Sequence, residues 1–309
     1  MNLYQKILNK IDWWYNTRLS QSVFLMPEIQ VLDFENSISQ LVNQKSSLAR
    51  FGDGEFSLML NGEFLRSRSI SLKFQKADPL LKRRLLEVIS DKNVQDYNLK
   101  IGISSAIKNI DESVFTVEAC NFWKNFLIEN RYKIYKLLQK KYPYVDTLIS
   151  RFYMDYKDKS QHVIQQKITS LKRIWQDYDV LIVEGYGTRL GINNDLFNNV
   201  KSIQRILCPN ENAFDFYDEI FKSVLQLAEQ KLVILSLGPT ATVLAYDLAR
   251  KGLRALDLGH IDIEYEWFLQ NAVTKILITE KVITEVEDYN RDLEIANLAY
   301  AKQIVKKIG

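Results

Sequence analysis

The 309-residue chain reads as an α/β protein with a mostly parallel sheet, and three observations in its second half predict this. Short apolar runs occur at Asp179-Val180-Leu181-Ile182-Val183, at 202–207, at Lys231-Leu232-Val233-Ile234-Leu235 and at 253–258. They are too short for helices and are bounded by charge or glycine. Helical patterns at about 213–229 and 240–251 fill the gaps. Strands alternating with helices of roughly 10–15 residues are what a parallel sheet requires, since each strand must be carried back to the same edge by a crossover.

The remaining elements follow in chain order. Leu3, Ile7, Ile11 and Trp14 recur at helical spacing, with Lys6, Lys10 and Arg18 nearby. This predicts an amphipathic helix, packed on the domain, on a partner or on anionic lipid. A helix at about 35–45 leads into the strand Leu48-Ala49-Arg50-Phe51 and a glycine-containing turn. Residues 99–103 form another strand, followed by long helices at about 118–140 and 161–176. A C-terminal helix begins near Asp288. The 5 prolines and 11 glycines act as punctuation, and no linker or repeat is visible. The expected organisation is an N-terminal helical extension over 1–29, one domain over 30–287, and a C-terminal helix over 288–309 packed on it.

Composition excludes several classes. A formal net charge of +3, with both signs interspersed, speaks against nucleic-acid binding. Cys120 and Cys208 stand far apart without metal-ligand spacing, which suits a reducing compartment. The N-terminus lacks the profile of a signal peptide, and no run approaches the ~20 apolar residues of a membrane helix. A cytoplasmic location is expected, with contact at the inner face of the membrane left open.

In open α/β sheets, ligands bind beyond the carboxyl ends of the strands, so the residues just after each strand carry the functional reading. In Arg50-Phe51-Gly52-Asp53-Gly54-Glu55, two carboxylates at i and i+2 share one side if the segment is extended. Such a pair can hold Mg²⁺ or Mn²⁺ and leave coordination sites for phosphate oxygens, with Arg50 adding a charge-assisted bond. An acidic surface turn has the same spacing. In Leu237-Gly238-Pro239-Thr240-Ala241-Thr242 a strand gives way to a helix start that offers amides and hydroxyls to an anion, or is simply capped by Thr240.

The segment Gly259-His260-Ile261-Asp262-Ile263-Glu264-Tyr265-Glu266 concentrates negative charge whether extended or helical. It implies a cation, a retained proton or a solvated face; in the functional reading His260 or one of these carboxylates is a general base. After Val183 comes a glycine-rich loop in which Arg189 can face a diphosphate, while Asn194 and Asp195 can bond hydroxyls. An ordinary loop explains its glycines equally well. Cys208 reads as a small buried residue and His162 as incidental.

Five segments in order resemble the GT-D-type glycosyltransferase family, formerly a domain of unknown function, over roughly residues 30–285. They are Ala49-Arg50-Phe51-Gly52-Asp53-Gly54-Glu55-Phe56, the run from Glu184 through Arg189 to Asn194-Asp195, Arg205-Ile206-Leu207-Cys208-Pro209, Gly238-Pro239-Thr240-Ala241-Thr242, and Gly259 through Trp267. The resemblance implies a Rossmann-like core and a metal-dependent transferase that moves a hexose from a UDP-sugar to a glycan or glycosylated-protein acceptor on bacterial surfaces or in polysaccharide synthesis. Asp53 and Glu55 match the family's metal and UDP contacts. His260 and Glu266, with Asp262 and Glu264, fall in its catalytic region. Arg50, Phe51, Gly52, Glu184, Arg189, Asn194, Asp195, Gly238, Pro239, Thr240 and Thr242 are the expected substrate contacts. The rival readings are a nucleotide-sugar or phosphosugar hydrolase and a non-catalytic subunit of a transferase complex. Donor, acceptor and oligomeric state stay open.

Overall fold

The computed structural model describes residues 28–60, 74–283 and 297–309, together with Trp14 and Arg18. Most of the expected N-terminal extension, and the start of the C-terminal segment, lie outside these residues.

Among the described residues the strands are β1 (Gln30–Val31), β2 (Ser47–Phe51), β3 (Leu99–Ile103), β4 (Pro143–Asp146), β5 (Asp179–Gly185), β6 (Ser202–Cys208), β7 (Leu232–Ser236), β8 (Ala255–Asp257) and β9 (Ile304–Lys307). They form one sheet in the order β1-β4-β3-β2-β8-β7-β5-β6-β9. Every pairing between neighbours is parallel. The helices are α1 (Phe34–Asn43), α2 (Asp53–Leu60), α3 (Pro79–Ser90), α4 (Ser105–Lys108), α5 (Val117–Leu137), α6 (Gln161–Lys172), α7 (Tyr217–Leu227), α8 (Pro239–Arg250), α9 (Ile261–Leu269) and α10 (Leu298–Gln303).

Helices cover both faces of the sheet, which is why its central strands are apolar without alternation. In β5, Leu181 and Val183 join one core with Leu81 of α3, Trp123 of α5, Val224 of α7 and Leu244 of α8. Val180 and Ile182, pointing the other way, join a second core with Ile38 of α1, Ile164 of α6 and Trp267 of α9. Local chemistry sets the helix starts. The Asp33 side chain accepts from Asn36 N at 2.8 Å, Asp78 from Leu81 N at 2.8 Å ahead of Pro79, and Thr116 from Ala119 N at 3.2 Å.

Three strands escape the sequence reading. β1 has two residues, and β4 opens with a proline, tolerated at a strand's first position. The chain end is corrected: α10 stops at Gln303, and β9 pairs with β6 instead of continuing a helix. Its lysines suit an edge strand, where charge discourages further pairing.

Candidate active site

β2, β3 and β4 run outward to one side and β5 and β6 to the other, with β7 and β8 between them. Loops beyond the carboxyl ends therefore splay apart over the middle of the sheet. A cavity of about 640 Å³ opens there. Its walls include Arg50 near the end of β2 with Gly52, Asp53 and Glu55 after it, and Thr147 and Arg151 after β4. Gly185 ends β5 and Thr188 follows it, Ser236 ends β7 with Gly238 and Pro239 after it, and Gly259, His260 and Asp262 follow β8.

Asp53 and Glu55 are corrected in geometry, though not in location. They occupy the first turn of α2, and positions two apart on a helix do not face each other as they would in a strand. Glu55 folds back and accepts from Gly52 N at 2.7 Å, the acidic half of a capping box. Both residues still line the cavity. Burial, and then the neighbouring Asp257, push the Glu55 carboxyl up to about 7. The negative charge collected there fits a divalent ion that takes one or two protein oxygens and completes its shell from a ligand. Among the described residues, no group of three or more His, Cys, Asp or Glu is gathered to hold a metal by itself.

Arg50 is anchored from two sides. Its Nε lies 3.3 Å from Asp257 Oδ1, and its Nη1 donates to Ser150 Oγ at 2.6 Å. It crosses Gly259, where a Cβ would lie 2.0 Å from Nη2, and Gly259 itself has φ +48°. Gly259→Ala is therefore expected to cost about 1–2 kcal/mol from the left-handed backbone, before the further cost of displacing the Arg50 guanidinium from its place across this glycine. Thermal melts of the variant against the wild type check the loss.

Other expected contacts are corrected. The Phe51 ring is in the core, 6.0 Å from that of Phe56. Thr242 donates to Arg50 O at 2.8 Å, and Thr240 lies 3.5 Å from Gln75. Neither threonine lines the cavity, although Gly238 and Pro239 do. Gly238 has φ +53°, and a Cβ there would strike Phe74 at 2.2 Å, so glycine is required.

Glu184 and Arg189 are also turned away from the cavity. Glu184 pairs with Arg205 at 2.6 Å, both side chains fully buried, and accepts from Leu190 N at 2.7 Å. Arg189 is buried, 5.9 Å from the Tyr300 ring. Asp195 is held by Lys172 at 2.8 Å and by the Tyr265 hydroxyl. Cys208 is buried, with its thiol pushed up to about 12 by desolvation.

The acidic run after Gly259 is helical from Ile261, with His260 as the residue before the helix. Its carboxylates are buried and so cannot form a solvated face. The cation is Lys281, 2.7 Å from both Asp262 and Glu266, with Asn194 donating to the same two groups at 2.8 and 2.7 Å. Glu264 accepts from Tyr153 N and Met154 N at 2.9 and 2.8 Å, and burial raises its pKa. Glu264 and Glu266 lie outside the cavity wall, whereas His260 and Asp262 reach it. Arg151 Nη2 lies 3.5 Å from His260 Nδ1.

Sequence reasoning missed Ser150, Arg151 and Asp257. The first two follow a strand that was not recognised, whereas Asp257 closes a recognised one and its position could have revealed it. Beneath Arg151, Asp146 caps the turn Thr147–Ser150, accepting from Leu148 N at 3.0 Å and Ser105 N at 3.1 Å. Desolvation raises its carboxyl from 3.8 to about 6. The folded state then binds a proton that the unfolded chain releases, so this group stabilises the fold as pH falls from 6 towards 4 and that contribution is lost as pH rises through 6. Asp146→Asn is expected to flatten the profile by at most about 3 kcal/mol, read by urea unfolding at several pH values.

A family model described as "Glycosyltransferase GT-D fold" matches residues 48–286, most of the chain. The chain belongs to this family. The chain is 36% identical over 283 residues to the probable glycosyl transferase Gly of Streptococcus gordonii, covering 91% of this chain and 39% of that protein. It is 37% identical over 281 residues to the glycosyltransferase GlyD of Streptococcus pneumoniae, covering 91% of this chain and 33% of that protein. The chain thus spans between a third and two fifths of the length of these relatives.

Among solved structures, one described as domain of unknown function 1792 with a distinct glycosyltransferase fold superposes at TM-score 0.82 with 35% identity, covering 96% of this chain and 100% of that one. A Streptococcus sanguinis glycosyltransferase of the same domain family gives 0.81 with 37% identity, covering 91% and 100%. The GT-D fold expected from the sequence is therefore the fold found.

Proposed function

We propose that the GT-D domain transfers a hexose from a UDP-sugar to a hydroxyl of a glycan acceptor, with a divalent ion, Mn²⁺ or Mg²⁺, held at Asp53 and Glu55. The observation that carries this reading is that Asp53, Glu55, Arg50, the glycine turn at Gly238 and His260 all border one cavity at the carboxyl edge of the sheet. The curated relatives are themselves named glycosyl transferases.

Breaking an anomeric bond builds positive charge on the sugar ring and negative charge on the departing diphosphate. The ion, when bound, supplies Lewis-acid neutralisation of that diphosphate. Arg50, fixed by Asp257 and Ser150, adds a pre-oriented cation for the same charge. Gly238 supplies the left-handed turn into α8 and leaves room for the Phe74 ring beside it on the cavity wall. His260 stands on the cavity wall as the group that exchanges a proton with the acceptor hydroxyl. Lys281 bridges Asp262 and Glu266 behind it, which fixes the first turns of α9.

Among the described residues, no helix is long and apolar enough to cross a membrane. The test is incubation of the chain with UDP-hexoses and candidate glycans, with products read by mass spectrometry and UDP binding measured by calorimetry with and without Mn²⁺. A lengthened glycan and metal-dependent UDP binding are expected. Free hexose alone would point to a hydrolase, and the absence of any UDP binding would end the donor assignment.

A further inference from the structure

One wall of the cavity carries none of the donor contacts proposed above. It is formed by the first turns of α5, where Thr116, Glu118, Ala119, Phe122 and Trp123 face the opening. α5 packs against α2, the helix that carries Asp53 and Glu55. Phe122 is 42% exposed and borders the cavity, so its ring is open to a ligand there. Its ring is held in place, parallel to Phe126 within 2° at 6.4 Å and edge-on to Trp123 at 5.5 Å.

Two carboxylates line the cavity together with that ring. Glu118, one helical turn earlier and exposed, lies on the same face of α5. Asp155 lines the cavity from the loop after β4. The start of α5 is stitched to that loop, with Thr116 N donating to Asp155 O at 2.9 Å and Lys157 N to Val114 O at 2.9 Å. Ring and carboxylates therefore form one pre-arranged surface.

We propose that Phe122, Glu118 and Asp155 form the acceptor subsite and that it takes a pyranose ring of a glycan. A pyranose has a C–H face that packs on an aromatic ring and equatorial hydroxyls that donate to carboxylates around its rim. Exposed Phe122 supplies the first surface, and Glu118 and Asp155 supply acceptors for the second. The wall borders the same opening as Asp53 and His260, so a ring seated there presents a hydroxyl towards the reaction centre. The assignment rests on the transferase reading for its use, but its chemistry can be tested apart from it.

The experiment is saturation-transfer NMR on the full chain with UDP, Mg²⁺ and the methyl β-glycosides of glucose, galactose and N-acetylglucosamine. Saturation of the ring C–H protons of at least one glycoside is expected for the wild type. About a fivefold loss is expected in Phe122→Ala, the size of one aromatic contact, with Phe122→Trp restoring it. Glu118→Gln combined with Asp155→Asn is expected to weaken the same signal. Equal saturation in Phe122→Ala, or none for any glycoside with the wild type, overturns the subsite. UDP protons report independently. UDP saturation without glycoside saturation sinks the subsite and leaves the donor assignment standing, whereas glycoside saturation that depends on Phe122 without UDP saturation does the reverse.

Discussion

Replacing Asp53 by alanine is expected to lower UDP-sugar turnover by about a thousandfold, because a divalent ion on a departing diphosphate is worth several kcal/mol. Metal-dependent UDP binding should vanish with it. Glu55 needs a different substitution, because its side chain also accepts from Gly52 N at 2.7 Å and so holds the start of α2. Glu55→Gln keeps an oxygen for that amide and removes the charge. It is expected to show the same loss of metal dependence with an unchanged melting temperature. Stopped assays with a UDP-hexose, and calorimetry with and without Mn²⁺, read the two effects. Turnover equal to wild type in both variants ends the metal assignment.

The second large effect concerns stability. Glu184→Ala is expected to destabilise the fold by about 3–5 kcal/mol, because it strands the Arg205 guanidinium in the core. Both side chains are fully buried and 2.6 Å apart, and Arg205 also donates to Leu190 O at 2.8 Å and Gln303 Oε1 at 2.7 Å. The pair joins β5, β6, the loop after β5 and α10, so its loss loosens the C-terminal segment as well. Removing both charges, as in Glu184→Leu with Arg205→Met, should recover much of the loss, since no charge is then left desolvated. Urea unfolding of the three variants gives the comparison. A change under about 1 kcal/mol in Glu184→Ala would be that of a solvent-exposed pair and would contradict the burial.

These two sets of carboxylates show why the sequence was readable at one place and not at the other. Asp53 and Glu55 follow a recognisable strand and a glycine turn, so their place at the sheet edge followed from topology. Their geometry did not, because acidic residues after a strand fit an extended turn and a helix start equally well. Glu184 sits at the end of an equally clear strand but faces inward. Nothing local announces Arg205 as its partner, 21 residues away. The same blindness hid Lys281, which bridges Asp262 and Glu266 and allows a run expected to need a cation, a proton or solvent to be buried.

The sequence alone determined the alternation of strands and helices, the parallel sheet, and the edge on which chemistry would gather, because these depend on periodicity and on glycines read within short windows. Tertiary structure decided which polar side chains reach the cavity and which are spent on holding it. That choice depends on charges brought together from distant strands, where burial forces each carboxylate to find a cation, an amide or a proton. It also brought Arg151 and the Phe122 wall to the cavity that Asp53 lines, and Asp257 to Arg50, a neighbourhood created by the strand order and by no local pattern.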